Sequence, residues 1–314
     1  MPVVKKLDTA VPPPEDPRSA KPAGRAAARL TERLQRVRSK SKALAPLAAS
    51  EPESIDNRQL PLWPEKVRGL PNALARSALF CAGTPKIPRE NLKQKEIYSI
   101  KGITIHYTGE ELRNDDDEDV FLQVTHLARL QPLGERVEFS AHSMLKALRW
   151  DTGSAGYKRL RAVLTRLQAT AVMVSADGME RGYSGSLLRS FAWDQARWSV
   201  ELDPKIIRLF GSTQYTRLEW EQRMRLAPLA KKLHAYYVTH RDPYPLRVET
   251  IRDLCGSRIR ELSQFRPTLR LALNRLVEVG FLESWNLDRT TDQVSVVRAP
   301  QASASLLRNE TAVA

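Results

Sequence analysis

Cysteine is nearly absent. Cys81 and Cys255 are the only two in 314 residues, and they lie too far apart to form a metal-binding spacing. A disulfide-stapled secreted scaffold is excluded, and free thiols in a reducing cytoplasm are expected. Histidine is scarce as well: the chain has five, His106, His126, His142, His234 and His240. No two of them flank a single apolar residue, so the metal-holding His-hydrophobe-His pattern of DNA-nicking initiators is missing. Tyr236 and Tyr237, near His234, fall inside an expected helix, where aromatics usually pack. The phosphate-cradling GxxxxGK[ST] sequence does not occur either. No apolar run is long enough to span a bilayer. No apolar core follows Lys5 and Lys6, so no secretory signal is expected. The sequence thus predicts no enzyme, no cofactor and no metal.

Positive charge is abundant. Fifty Lys and Arg face 36 Asp and Glu, a formal net charge of +14. Such an excess implies a polyanionic partner, either nucleic acid or an anionic membrane, and without a membrane segment nucleic acid is the better match.

The most patterned stretch runs from Phe265 to Glu283. Leu269, Ala272, Leu273, Leu276 and Val277 recur at helical spacing and form one apolar stripe. Arg266, Arg270 and Asn274 are four apart and form a polar stripe beside it. Pro267 suits a first turn, and Gly280 suits the helix end. Arginine can pair bidentately with guanine and asparagine with adenine, so this helix has the chemistry to read a major groove.

The pattern occurs twice. Residues 164–173 align without gaps on 273–282, and Leu160 and Arg161 match Leu269 and Arg270. An internal repeat decides architecture before other features do. Around each copy the chain predicts helix, strand, helix, turn, helix and β-hairpin, the order of a winged helix whose second helix after the turn enters the groove. In the first copy the strands are expected over 171–175, 186–192 and 198–202. In the second, a helix is expected over 229–239, the reading helix over 262–279, and a wing over 281–285 and 294–297.

The fold expected is therefore α+β: two tandem winged-helix domains, residues 58–203 and 204–298, preceded by a disordered basic tail. Residues 1–57 are rich in Ala, Arg, Lys, Ser and Glu, too polar to offset the entropy of ordering. A short helix over 26–37 is the one element expected there. Residues 299–314 form a second disordered tail. Branched and aromatic residues over 96–107 predict a strand broken at Gly102. The acidic run 114–119 reads as a solvated loop that caps the next helix, not as a metal site.

Gln59-Leu60-Pro61-Leu62-Trp63 stands where tail meets fold. It resembles the short extended peptide with which bacterial replication proteins bind the polymerase sliding clamp. Gln59, Leu60, Leu62 and Trp63 are the candidate contacts. The competing reading makes Leu62 and Trp63 a staple that fastens the tail to the first domain.

With both units in view, residues 59–80, together with Asp119-Val120-Phe121 and His126-Leu127-Ala128-Arg129, resemble the TrfA family of plasmid replication initiators. The resemblance covers about residues 58–298. It implies binding to direct repeats, iterons, at a plasmid origin as a monomer, and melting of adjacent DNA. It also implies recruitment of host DnaA, the replicative helicase and the polymerase clamp, with a monomer–dimer equilibrium that limits copy number. A cytoplasmic protein without membrane contact follows. The candidate DNA contacts are Lys158, Arg159, Arg161, Thr165 and Arg166 in the first copy. In the second they are Arg266, Thr268, Arg270, Asn274 and Arg275. Arg166 and Arg275 lie less squarely opposite the apolar stripe and are expected on phosphates. The alternative function is a winged-helix repressor. A repressor with one reader per chain must dimerise, whereas this chain already carries two.

Overall fold

The structure, a computed structural model, describes residues 59–83, 86–194 and 197–300. The helix expected over 26–37 and nearly all of both expected tails lie outside the described residues. Backbone contacts group the described residues as one compact unit.

The chain enters through β1 (Val67–Pro71), whose five residues are all buried. A short helix α1 (Asn72–Ala75) and strand β2 (Phe80–Cys81) follow. The strand expected over 96–107 is instead a hairpin of β3 (Asn91–Ile97) and β4 (Ile103–Glu110). Gly102, at φ 88°, supplies a left-handed residue beside the start of β4. Strand β5 (Leu112–Arg113) pairs with β2, and the acidic run then forms a wide helical turn, Asn114–Glu118. It leads into α2 (Asp119–Ala128), a buried helix.

The first copy of the sequence repeat comes next. Strand β6 (Val137–Phe139) ends at Ser140, whose hydroxyl accepts from the Ser143 amide at 3.1 Å and caps α3 (Ala141–Ala147). Helix α4 (Ser154–Gln168) follows after a turn. Gly156 makes that turn possible, since a Cβ there would fall 1.8 Å from the Asp151 carbonyl oxygen. Strand β7 (Ala171–Ala176) departs from the expected wing. It crosses to β4 and continues to β8 (Tyr183–Gly185), giving a four-stranded sheet in the order β3-β4-β7-β8. The position expected for a wing is taken by the hairpin of β9 (Ser190–Trp193) and β10 (Trp198–Glu201), which joins β6 in the order β6-β10-β9.

A 3-10 turn, Pro204–Phe210, connects to β11 (Tyr215–Glu219), which returns to pair antiparallel with β1. Helices α5 (Trp220–Arg223) and α6 (Pro228–Val238) precede the second unit. That unit contains β12 (Leu246–Arg247), α7 (Val248–Leu254), α8 (Leu262–Glu278), β13 (Leu282–Asp288) and β14 (Gln293–Arg298). Its sheet order, β12-β14-β13, reproduces β6-β10-β9. The sequence repeat is therefore a repeat of architecture, but the first copy carries the inserted pair β7–β8 between α4 and the β9–β10 hairpin. The gapless match of 171–173 onto 280–282 does not extend to structure.

The acidic turn is not a solvated loop. Asp117, Glu118 and Asp119 are buried. Arg223, itself fully buried, donates to Asp119 at 2.6 Å, to Glu118 at 2.8 Å and to the Asn114 carbonyl at 3.0 Å. Lys231 of α6 also donates to Asp119. Asp117 accepts from Arg89 at 2.7 Å and from Arg166 of α4 at 2.9 Å. Burial pushes the Asp117 carboxyl upward against the pull of both guanidinium groups. The acidic run thus holds α4 on one side and α6, which packs against α8, on the other.

Candidate nucleic-acid interface

Helices α4 and α8 bury the same face. Leu160, Val163, Leu164 and Leu167 of α4 are buried, as are their counterparts Leu269, Ala272, Leu273 and Leu276 of α8. Each fully buried leucine stabilises the packing by roughly 1.5–3 kcal/mol, so the orientation of each helix is firmly set. The opposite face is open in both: Lys158, Arg161, Ala162 and Thr165 on α4, and Pro267, Arg270, Leu271 and Asn274 on α8. Helix α8 begins at Leu262, so Pro267 lies in its second turn rather than its first. It removes the bond to the Ser263 carbonyl, which is at the exposed surface.

The cationic side chains divide into free and committed groups. Lys158, Arg161 and Thr165 line a shallow depression with Ala162 and Ala169. The Arg161 guanidinium lies over the Trp193 ring at 4.6 Å, and Arg270 has no hydrogen bond or ion pair among the described residues. Arg159 is held by Asp116 and stacks on Trp150 at 3.9 Å. Arg266 makes a bidentate pair with Asp292 at 2.9 and 2.8 Å, which fastens the hairpin turn to α8 and keeps the Asp292 carboxyl below its usual range. Asn274 accepts from the Trp285 indole at 2.9 Å, so its Oδ1 is engaged by the wing. Thr268 sits near the start of α8 beside an apolar cleft that includes Cys81, Ile259 and Phe265.

Two residues expected on phosphates already have partners within the protein. The Arg166 side chain is 12% exposed and is committed to Asp117, with Glu110 at 3.7 Å. Moving it to a phosphate would cost the buried Asp117 one of its two arginine partners, the other being Arg89. Arg275 bonds Glu278 at 2.7 Å and approaches the Arg225 carbonyl. It therefore braces the end of α8 against the chain before α6. Two exposed apolar side chains, Leu271 and Trp193, also lie at this face, beyond the residues expected there. An apolar residue on an otherwise polar helix face was the available signal for Leu271. Trp193 had none, because its nearness to Arg161 arises only when the wing folds back on α4.

With this arrangement in hand, comparison with known proteins is decisive. The model of the family described as TrfA protein matches residues 32–295. The chain belongs to the TrfA family. A curated relative, Plasmid replication initiator protein TrfA of Escherichia coli, is 38% identical over 227 residues, covering 70% of this chain and 59% of the relative. The chain thus matches about three-fifths of that relative's length. The crystal structure of RctB domains 2–3 superposes with a TM-score of 0.50 at 13% identity, over 74% of this chain and 98% of that one. This likeness is one of fold. A selenomethionine derivative of RctB domains 2 and 3 gives 0.49 at 12% identity, over 70% of this chain and 95% of that one.

In this TrfA-family chain the segment expected to bind the clamp is folded onto the body. Leu60 is 1% and Trp63 3% exposed, whereas Leu62 is 66% exposed. Trp63 stacks on Phe210 at 5.9 Å, and its indole donates to His126 Nδ1 at 2.9 Å. Burial lowers the His126 pKa to about 4, so the ring is neutral at pH 7. Its Nε2–H is then the donor toward Glu65, at 3.0 Å. Gly69 is required because any Cβ would lie 2.6 Å from the Trp63 ring. Gln59 donates to the Arg129 carbonyl. Trp63 is thus a staple and not a free anchor, and Leu62 alone of the four candidates presents its side chain to solvent.

Proposed function

We propose that this protein is a plasmid replication initiator that reads direct repeats at an origin as a monomer, through two winged helices in one chain. Membership of the TrfA family supports the initiator reading. The observation that carries the tandem mode is the matched pair α4 and α8. Each buries the same four positions, exposes the opposite face, follows a short support helix, and is backed by a three-stranded sheet of the same order. Lys158, Arg161 and Thr165 read or position one groove, and Thr268, Arg270 and Asn274 the next. After binding, the protein melts adjacent DNA and recruits DnaA, the replicative helicase and the clamp, with dimers as the less active form. It acts in the cytoplasm, on plasmid DNA. Clamp recruitment through residues 59–63 requires Leu60 and Trp63 to leave the core, so it is a released state that the clamp captures.

The test is footprinting of a monomeric preparation on its origin. Two readers on one face place their sites one helical turn apart, giving protection over roughly 20 base pairs per monomer. Protection confined to a single turn, or a requirement for a palindrome and a dimer, would replace this account with the repressor reading.

A further inference from the structure

The first wing is fastened to its reader by aromatic contacts. Tyr157 of α4 meets Trp198 edge-on at 6.4 Å, Trp198 meets Trp193 at 6.2 Å, and Trp193 stacks on Phe191 at 5.2 Å with an interplanar angle of 21°. Arg161, one turn after Tyr157 on α4, covers the Trp193 face at 4.6 Å. The second unit fastens its wing differently, with the Arg266–Asp292 pair and the Trp285–Asn274 hydrogen bond. Tyr157 and Arg266 occupy equivalent positions in the two helices, as do Arg161 and Arg270.

The chemistry of these contacts separates the arginines. A carboxylate uses the in-plane N–H groups of a guanidinium, so Arg159, Arg166 and Arg266 have lost part of their capacity to read a base. An aromatic ring takes the face of the guanidinium and leaves its N–H edge free. Arg161 is therefore restrained without being consumed. Trp193 is 46% exposed, so this contact lies at the surface, on the same open side as Lys158 and Thr165.

We infer that Trp193 is a positioning residue: it holds Arg161 ready for a bidentate contact with a guanine in the groove read by α4. The inference rests on the proposal that the chain reads DNA through α4. Restraining a long side chain before binding spares about 0.5–1.5 kcal/mol of ordering cost. That corresponds to roughly 2–12-fold in affinity for the correct site.

The experiment measures equilibrium binding of the full chain to its origin repeat and to repeats altered one base pair at a time, at several salt concentrations. Wild type, Trp193→Leu, Trp193→Phe, Arg161→Ala and the Trp193→Leu/Arg161→Ala pair are compared, with far-UV circular dichroism to confirm folding. Trp193→Leu should weaken the correct site roughly 2–12-fold. It should also reduce discrimination at the base pair where Arg161→Ala does, with an unchanged salt slope. Trp193→Phe, which keeps a π face, should restore most of the loss. In the Arg161→Ala background, Trp193→Leu should have no further effect. Equal weakening on all sequences, a flatter salt slope, or full additivity of the two substitutions would overturn the inference. Should Trp193→Leu lose the fold, Trp193→Gln, which also lacks a π face and suits a half-exposed site, replaces it and is judged by the same criteria. If wild type itself shows no preference for the repeat, the DNA-reading proposal fails instead, and the two failures are distinguishable.

Discussion

Trp63→Ala will destabilise the protein by about 3–5 kcal/mol, whereas Leu62→Ala will leave the melting temperature nearly unchanged. The two side chains are neighbours in sequence and opposites in environment, at 3% and 66% exposure. Truncating Trp63 leaves a cavity between Phe210 and Tyr215 and uncovers the β1 backbone at Gly69. It also leaves the neutral His126 without its donor to Nδ1, a buried acceptor whose orphaning adds to the loss. Urea or thermal unfolding reads the difference directly. A loss below about 1 kcal/mol for Trp63→Ala would mean that the segment is not part of the core. It would then be free to act as an extended clamp peptide.

An effect of the same size is expected from Arg223→Met. Removing one partner from a buried ion pair typically costs about 3–5 kcal/mol, because the remaining charge stays buried without compensation. Here Arg223 is fully buried and serves Asp119, Glu118 and the Asn114 carbonyl together. Its loss leaves two carboxylates with Lys231 as their remaining cation at Asp119. The damage should travel, because the same turn holds Arg159 and Arg166 of α4 through Asp116 and Asp117. Replacing Asp119 and Arg223 together by apolar residues should cost less than the sum of the single changes. A chemical denaturation cycle measures this, and additive losses would show that the two groups are not coupled.

The helical parts of this fold were legible because their signal is local. The 3.6-residue spacing of Leu269, Leu273 and Leu276 announces α8, and the expected span 262–279 matches Leu262–Glu278 closely. The repeat also announced α4, observed as Ser154–Gln168. What the sequence concealed is long-range. Asp119 reads as an exposed capping residue until Arg223, over one hundred positions later, is placed on it. Strand β7 reads as a wing strand because its alternating pattern does not say which edge it joins. It pairs with β4, which belongs to a hairpin that the sequence pattern presents as a single broken strand. The charges of Arg166, Arg266 and Arg275 suggested DNA contacts. Composition cannot distinguish a cation facing solvent from one already spent on Asp117, Asp292 or Glu278. The same limit hid Trp193 and made Trp63 ambiguous.

The account's central claim is that α4 and α8 are equivalent readers of successive grooves. Its most direct test is the base-preference profile of Arg161→Ala and Arg270→Ala, measured separately on a library of origin repeats. Each substitution should cost about 1–3 kcal/mol and relax preference at a single position. The two relaxed positions should lie about 10 base pairs apart. Preference lost at the same position in both variants, or uniform weakening on every sequence with no change in preference, would contradict it.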